Sequence, residues 1–301
     1  MMNKSRTMMA TLLAVSAVLS PVGALAQANG AAPLRSLATL AYTDHFLLES
    51  EEIGRAFHIF VRKPEGYDAA PEKFPTVYAL DGDVTFPMLA AYHLLLAIDT
   101  DVPEALIVGI GYGTLDPEKG NYRSYDFSTP PFGPDFGLGG AEDETQGAAA
   151  FHAFLTDTLI PKIERDYEAD PARRILIGQS RGAHFVLYSA YNAPEAFWGR
   201  IAINPSLVPN RERFFRSFEA ASMTDARLFF ASSENDWPRL RKDALALFDH
   251  LDAQETPPWR LETVSVPGGT HAANYVDIYR EGMKWLFGVK TAATPNETDD
   301  H

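Results

Sequence analysis

The chain contains no cysteine among its 301 residues. That excludes a disulfide framework, and it excludes a lipid-bearing cysteine behind an export leader. Long apolar runs are missing as well. Residues 8–18 form the one continuous apolar stretch near the N-terminus, shorter than the roughly 20 residues a membrane-spanning helix needs. Cations are scarce, with 26 Lys and Arg against 40 Asp and Glu and a net charge of −14. Such a balance argues against nucleic acid and anionic membranes as partners. A locally basic pocket for an anionic substrate remains compatible with it. Neither an internal repeat nor a low-complexity block interrupts the chain.

What is present begins with a leader. Lys4 and Arg6 give a positive start, the apolar run follows, Pro21 and Gly23 break it, and Ala24-Leu25-Ala26 places small residues at the cleavage positions. This is the layout of a secretory signal peptide over residues 1–26, and it predicts a periplasmic or secreted protein without membrane insertion. Residues 27–290 then suit one large domain. The polar, acidic stretch 291–301 reads as a flexible tail.

Within that domain, strand-like and helix-like segments alternate. Residues 37–48 and 56–61 show β-type alternation. The short apolar runs 76–80 and 105–110 read as strands buried on both faces, and 175–177, 200–203, 227–231 and 259–266 read as further strands. Helices are expected over 88–98 (opened by Pro87), 146–167, 212–221, 238–253 and 275–287. In the second of these, Phe151, Leu155, Leu159, Ile163 and Tyr167 share one face, and Pro161 should kink it. Residues 113–144 are rich in Gly, Pro and aromatics, including Tyr122, Tyr125, Phe127, Phe132 and Phe136. They form an irregular insertion, either a surface excursion or a substrate-binding cap. The alternation predicts an α/β fold with a mostly parallel central sheet, helices on both faces and an antiparallel edge from the first two strands. Sites then lie at the strands' carboxyl ends.

The chemistry concentrates around Gly178-Gln179-Ser180-Arg181-Gly182. A serine in G-x-S-x-G between a strand and a helix stands on a sharp turn, with its hydroxyl exposed. A side chain at Gly178 or Gly182 is expected to collide with neighbouring backbone. A serine hydroxyl needs a base, best a histidine oriented by a carboxylate. In α/β-hydrolases the chain order is Ser, acid, His, each in a loop past a strand. Of eight histidines, His271 alone follows the last strand through a Gly-Gly turn. Glu234 follows the strand at 227–231 and is the expected acid, with Asp236 as cap of the next helix. The exchange of those two roles, or a Ser-His pair with no essential carboxylate, stays open. For the oxyanion, the Arg181 amide at the helix N-terminus and the Asp83 amide in Asp81-Gly82-Asp83 are the expected donors. The Asp83 carboxylate must then point away.

These residues resemble the putative-esterase branch of the α/β-hydrolases, which includes esterase D-type enzymes, enterobactin-type siderophore esterases and, more distantly, mycolyltransferases. The likeness runs through residues 78–83 with Phe86, Val108-Gly109-Ile110-Gly111-Tyr112, residues 123–127 with Pro130, and residues 159–164. It continues through the serine motif, Asn204-Pro205-Ser206-Leu207 and Pro267-Gly268-Gly269-Thr270-His271. It implies Ser180 as nucleophile, His271 as base, Glu234 as acid, amides at Asp83 and Arg181, and a pocket bordered by Gly82 and the segment from Arg123 to Asp126. No metal or organic cofactor is implied. Two departures stand out: Arg181-Gly182-Ala183 where Leu or Phe with Gly-Gly is usual, and Asn204 where serine is common. The expected function is hydrolysis of a small-molecule ester or lactone, siderophore esters included. A non-catalytic binding protein of the same fold and an acyltransferase to a sugar or peptide are the alternatives.

Overall fold

The computed structural model describes residues 40, 42–70, 72–130, 147–218, 225–254 and 257–289. The leader, the tail and the part of the 113–144 insertion from residue 131 onward lie outside the described residues, while its first part holds two short turns, Pro117–Lys119 and Arg123–Asp126. Eight strands form one sheet: β1 (Thr43–Ser50), β2 (Arg55–Arg62), β3 (Phe74–Ala79), β4 (Leu106–Gly111), β5 (Ala169–Gln179), β6 (Gly199–Ile203), β7 (Arg227–Asn235) and β8 (Arg260–Thr270). Their spatial order is β1-β2-β4-β3-β5-β6-β7-β8. The first two strands pair antiparallel with each other, and β2 runs antiparallel to β4. From β4 through β3 to β8 every pairing is parallel. The antiparallel edge and the parallel centre both match the expectation from strand spacing.

Alternation along the central strands explains the two cores. Val77 and Ala79 of β3, with Ile175 and Ile177 of β5, face one side. There they meet Phe86, Leu89 and Leu96 of α1 (Gly82–Asp99) and Ile278, Met283 and Leu286 of α7 (Tyr275–Phe287). Tyr78 and Leu176 face the other side. They join Phe185 and Val186 of α5 (Arg181–Asn192), Leu247 and Leu251 of α6 (Pro238–Asp252), and Phe151 of α3 (Ala148–Ala153). With both faces covered, the strands read as continuous apolar runs, because successive side chains point to opposite cores. Each fully buried Val, Leu, Ile, Phe or Met among them contributes about 1.5–3 kcal/mol over an exposed one.

Two local expectations, the start of α1 and the helix over 212–221, are corrected, and the helix through Pro161 gains a detail. α1 begins at Gly82, five residues before Pro87. The proline sits inside the helix, where its missing N–H forgoes one bond to the turn before it. The helix expected through Pro161 runs into α4 (Ile160–Asp166), with Phe154–Leu159 wound as a π-helix. Widening that turn accommodates a residue that cannot donate and whose ring crowds the preceding turn. Phe151, Leu155, Leu159 and Ile163 stay fully buried along one face. The helix expected over 212–221 is a short 3-10 turn, Arg211–Phe215, with residues 219–224 outside the description.

Among the described residues no helix is long and apolar enough to cross a membrane.

Candidate active site

Ser180 sits between β5 and α5 at φ 59°, ψ −113°. This backbone is strained for a residue with a Cβ, by about 1–3 kcal/mol, and persists because the surroundings hold it. Ser180 N–H donates to the Ile203 carbonyl at 2.9 Å, and its carbonyl accepts from Ser206 N–H at 3.1 Å. The elbow is thus tied to the end of β6. A Cβ at Gly178 would lie 2.5 Å from the carbonyl carbon and oxygen of Gly182. Only glycine fits there. The expectation for Gly182 is corrected: a Cβ would meet the Asp81 carboxylate at 3.4 Å and Leu80 at 3.6 Å, ordinary contacts without a backbone collision.

Past the end of β8, His271 reaches Ser180. Its Nε2 is 3.0 Å from Ser180 Oγ, and its Nδ1 is 2.6 Å from Asp236 Oδ1. The carboxylate at His271 is therefore Asp236, and Glu234 does not occupy that position. The reason is where β7 ends. It continues to Asn235, so Glu234 is still a strand residue and is exposed, its Oε2 accepting from Gly268 N–H at 2.8 Å. Asp236 comes after the strand, where a turn closed by its N–H to the Ser233 carbonyl aims the side chain inward. Asp236 is also not the N-cap of α6. Trp237 takes that position without a side-chain cap, and Asp236 Oδ1 accepts from Trp237 N–H at 2.6 Å. The Asp236 side chain is fully buried.

Two helix N-termini flank the serine. Arg181 opens α5, and Asp83 is the second residue of α1, so the amides of both belong to first turns that lack intrahelical acceptors. The partial positive charge of such ends favours a developing anion. As expected, the Asp83 carboxylate turns away, accepting from Tyr112 N–H at 2.6 Å and Gly113 N–H at 3.0 Å. Asp81 holds the left-handed turn that starts α1, at φ 57°, and its carboxylate takes Arg123 Nε at 2.5 Å and Nη2 at 2.9 Å.

Around the serine lies a cleft of about 330 Å³. Val84, Met88 and Leu115 form an apolar wall, while Asn121, Arg123, Asp81 and Asp83 supply polar groups. Of the three residues expected to bind substrate, only Arg123 lines it. Gly82 packs against β4, where a Cβ would stand 2.6 Å from Ile110 N. Asp126 is 1% exposed and bonds to Tyr112 Oη at 2.8 Å and to Arg55. Burial raises its pKa, against the pull of Arg55. Arg181 donates Nη1–H to Ser128 Oγ at 2.9 Å, and its pKa falls to about 10 through burial first and the charge of Arg123 second.

Several contributors escape sequence reasoning. Gln179 Nε2 donates to the His271 carbonyl at 2.6 Å. The Trp237 ring stacks on the His271 imidazole at 4.2 Å and 17°, with Trp237 itself 62% exposed. Asn204 reaches the histidine loop from β6. Only its anomalous place in the family pattern marked Asn204 beforehand.

The eight-stranded, largely parallel sheet with a serine elbow at its centre defines an α/β-hydrolase fold. Solved structures share it: the BES protein from Bacillus cereus superposes with a TM-score of 0.70 at 21% identity, over 84% of this chain and 97% of that one. An IroE-like serine hydrolase from Shewanella oneidensis gives 0.67 at 22%, over 82% and 80%. Within that fold the chain belongs to the Putative esterase family, whose model matches residues 50–274. Ferri-bacillibactin esterase BesA from Bacillus subtilis is 34% identical over 182 residues, 58% of this chain and 61% of that protein. An apo-salmochelin esterase from Escherichia coli is 31% identical over 136 residues, 44% and 42% respectively. The matches thus span about two fifths to three fifths of the length of these curated relatives.

Proposed function

We propose that the protein is an exported serine esterase that cleaves a siderophore-type lactone or related carboxylic ester through an acyl-enzyme. The observation that carries the reading is the continuous line Ser180–His271–Asp236, with contacts of 3.0 and 2.6 Å. In the first half-reaction His271 Nε2 takes the hydroxyl proton as Ser180 Oγ attacks the ester carbonyl carbon. Asp236 keeps the proton on Nδ1 and stabilises the imidazolium. The carbonyl oxygen becomes an oxyanion between the Asp83 and Arg181 amides. Collapse expels the alkoxide, which leaves as the alcohol with the proton from His271. Water then repeats the sequence, and the acid is released with Ser180 restored. Every step uses this chain's own residues.

The siderophore assignment is supported by the names of the relatives and by a cleft beside the serine with one apolar wall. Export is supported by the leader of residues 1–26. The test uses purified protein with short-chain p-nitrophenyl esters and with a cyclic catecholate trilactone, iron-loaded and iron-free. Wild type should cleave both classes, and Ser180→Ala should lose at least about a thousandfold in kcat/KM. Equal rates for the two proteins would overturn the mechanism. Ester cleavage without trilactone cleavage would remove the siderophore substrate alone.

A further inference from the structure

The ends of three strands must hold still together for Ser180, Asp236 and His271 to align, and one fully buried side chain touches two of those ends. Asn204 follows β6, the strand between the serine's and the acid's, and is 0% exposed at φ 48°. Its backbone N–H donates to the Ala231 carbonyl at 2.9 Å, which fixes it beside β7. Its Oδ1 accepts from Ser233 N–H at 2.6 Å, three residues before Asp236. Its Nδ2 donates to the carbonyls of Thr270 at 3.0 Å and His271 at 2.9 Å. The residues on either side hold the elbow, since Ile203 and Ser206 bond the two ends of the Ser180 backbone. We infer that Asn204 is a positioning residue that sets the separation of Asp236 and His271 through its side-chain amide. The claim that this alignment matters for turnover rests on the esterase reading above.

The chemistry of the amide is specific. One group must accept from a backbone N–H on one side and donate two hydrogens to carbonyls on the other. A carboxylate of the same shape accepts only, so it would face two carbonyl oxygens with negative charge. A serine hydroxyl has one hydrogen and a shorter reach. The left-handed backbone also favours asparagine among residues that carry a Cβ. Gln179, at the end of the neighbouring strand β5, bonds the same His271 carbonyl at 2.6 Å. The two amides should therefore act together on the histidine loop.

The experiment compares wild type, Asn204→Ala, Asn204→Asp, Asn204→Ser, Gln179→Ala and the double variant Asn204→Ala with Gln179→Ala. Three readouts are taken on folded protein, verified by circular dichroism: kcat and KM separately, the urea midpoint, and the far-downfield proton resonance of His271 Nδ1–H on Asp236. Asn204→Ala should lower kcat at least about tenfold with KM within about threefold, and broaden or shift the downfield proton. Asn204→Asp should be worse than Asn204→Ala, and Asn204→Ser should fall between wild type and alanine. In the cycle the two alanine effects should be non-additive, as expected of neighbours sharing one partner. A wild-type downfield resonance and unchanged kcat in folded Asn204→Ala would overturn the inference. So would a kcat loss that equals the unfolded fraction. If wild type proves inactive on every ester yet the resonance shifts in Asn204→Ala, the esterase reading falls while the positioning role stands.

Discussion

At the residue scale, the acid beside His271 is decided by two positions of chain. Asp236→Asn preserves the shape and removes the charge that stabilises the imidazolium. We expect kcat to fall by about three to four orders of magnitude, measured with a p-nitrophenyl ester at neutral pH. Glu234→Ala removes only the carboxylate that accepts from Gly268 N–H, so its loss should stay within about tenfold. A larger loss for Glu234→Ala than for Asp236→Asn would reverse the assignment. Trp237 is the second residue to test. Its exposed ring covers the face of His271, and Trp237→Ala should lower kcat several-fold by letting water and alternative rotamers reach the imidazole. An unchanged kcat would show the stack to be incidental. Both carboxylates were visible in the sequence as candidates. Choosing between them required the end of β7, because a strand that runs four residues past its expected end at 231, to Asn235, changes which side chain points inward.

At the scale of elements, the elbow depends on how closely β5 and α5 approach. Gly178→Ala puts a methyl 2.5 Å from the Gly182 backbone, and something must move. A cost of about 1–3 kcal/mol, comparable to overpacking a core, together with a loss of activity larger than the unfolded fraction explains, is the expected result. Gly182→Ala meets only ordinary contacts and should leave the unfolding midpoint nearly unchanged. Urea denaturation followed by tryptophan fluorescence checks both, and equal destabilisation would contradict the geometry. The two glycines look alike in G-x-S-x-G. Nothing in the motif tells that one is demanded by backbone packing while the other faces a side chain. The start of α1 was similarly hidden. Pro87 reads as a helix opener from its missing N–H, but the helix begins at Gly82, and that earlier start is what puts the Asp83 amide in a first turn beside Ser180.

At the scale of the whole molecule, buried histidines link stability to pH. His184 lies in the core with Nδ1–H donating to the Ser206 carbonyl at 2.8 Å and Nε2 facing Thr129 Oγ1 at 3.3 Å. His93 is held between the Pro103 carbonyl at 3.1 Å and Tyr279 Oη at 2.7 Å. Burial first, in each case, lowers the pKa from 6.5 to about 4. Between those values the unfolded chain binds protons that the folded chain refuses, so stability is full above about pH 7 and declines as pH falls toward 4. The linkage is worth on the order of 3 kcal/mol per histidine at most. Urea midpoints from pH 7.5 to 4.5 should fall steadily, and His184→Gln should flatten part of that slope. A midpoint that rises on acidification would contradict the assignment.

Local patterns in the sequence determined a good deal here. Apolar runs bounded by turns pointed to the parallel centre, because a strand buried on both faces has no choice but to be apolar throughout, and the close spacing of the first two alternating strands pointed to the antiparallel edge. Chain order singled out Ser180 and His271, each just past a strand, and the structure brings their side chains to 3.0 Å. Tertiary structure decided what depends on distances between segments far apart in the chain: Asp236 over Glu234, Asp126 as a buried partner of Tyr112 and Arg55, and Gly82 as a packing glycine. It also decided the role of Asn204, whose side chain bonds the ends of two strands at positions that the sequence separates by 37 residues (233 to 270). A side chain's neighbours across a sheet are set by register and by where each strand stops, and neither is written in the residues of one strand alone.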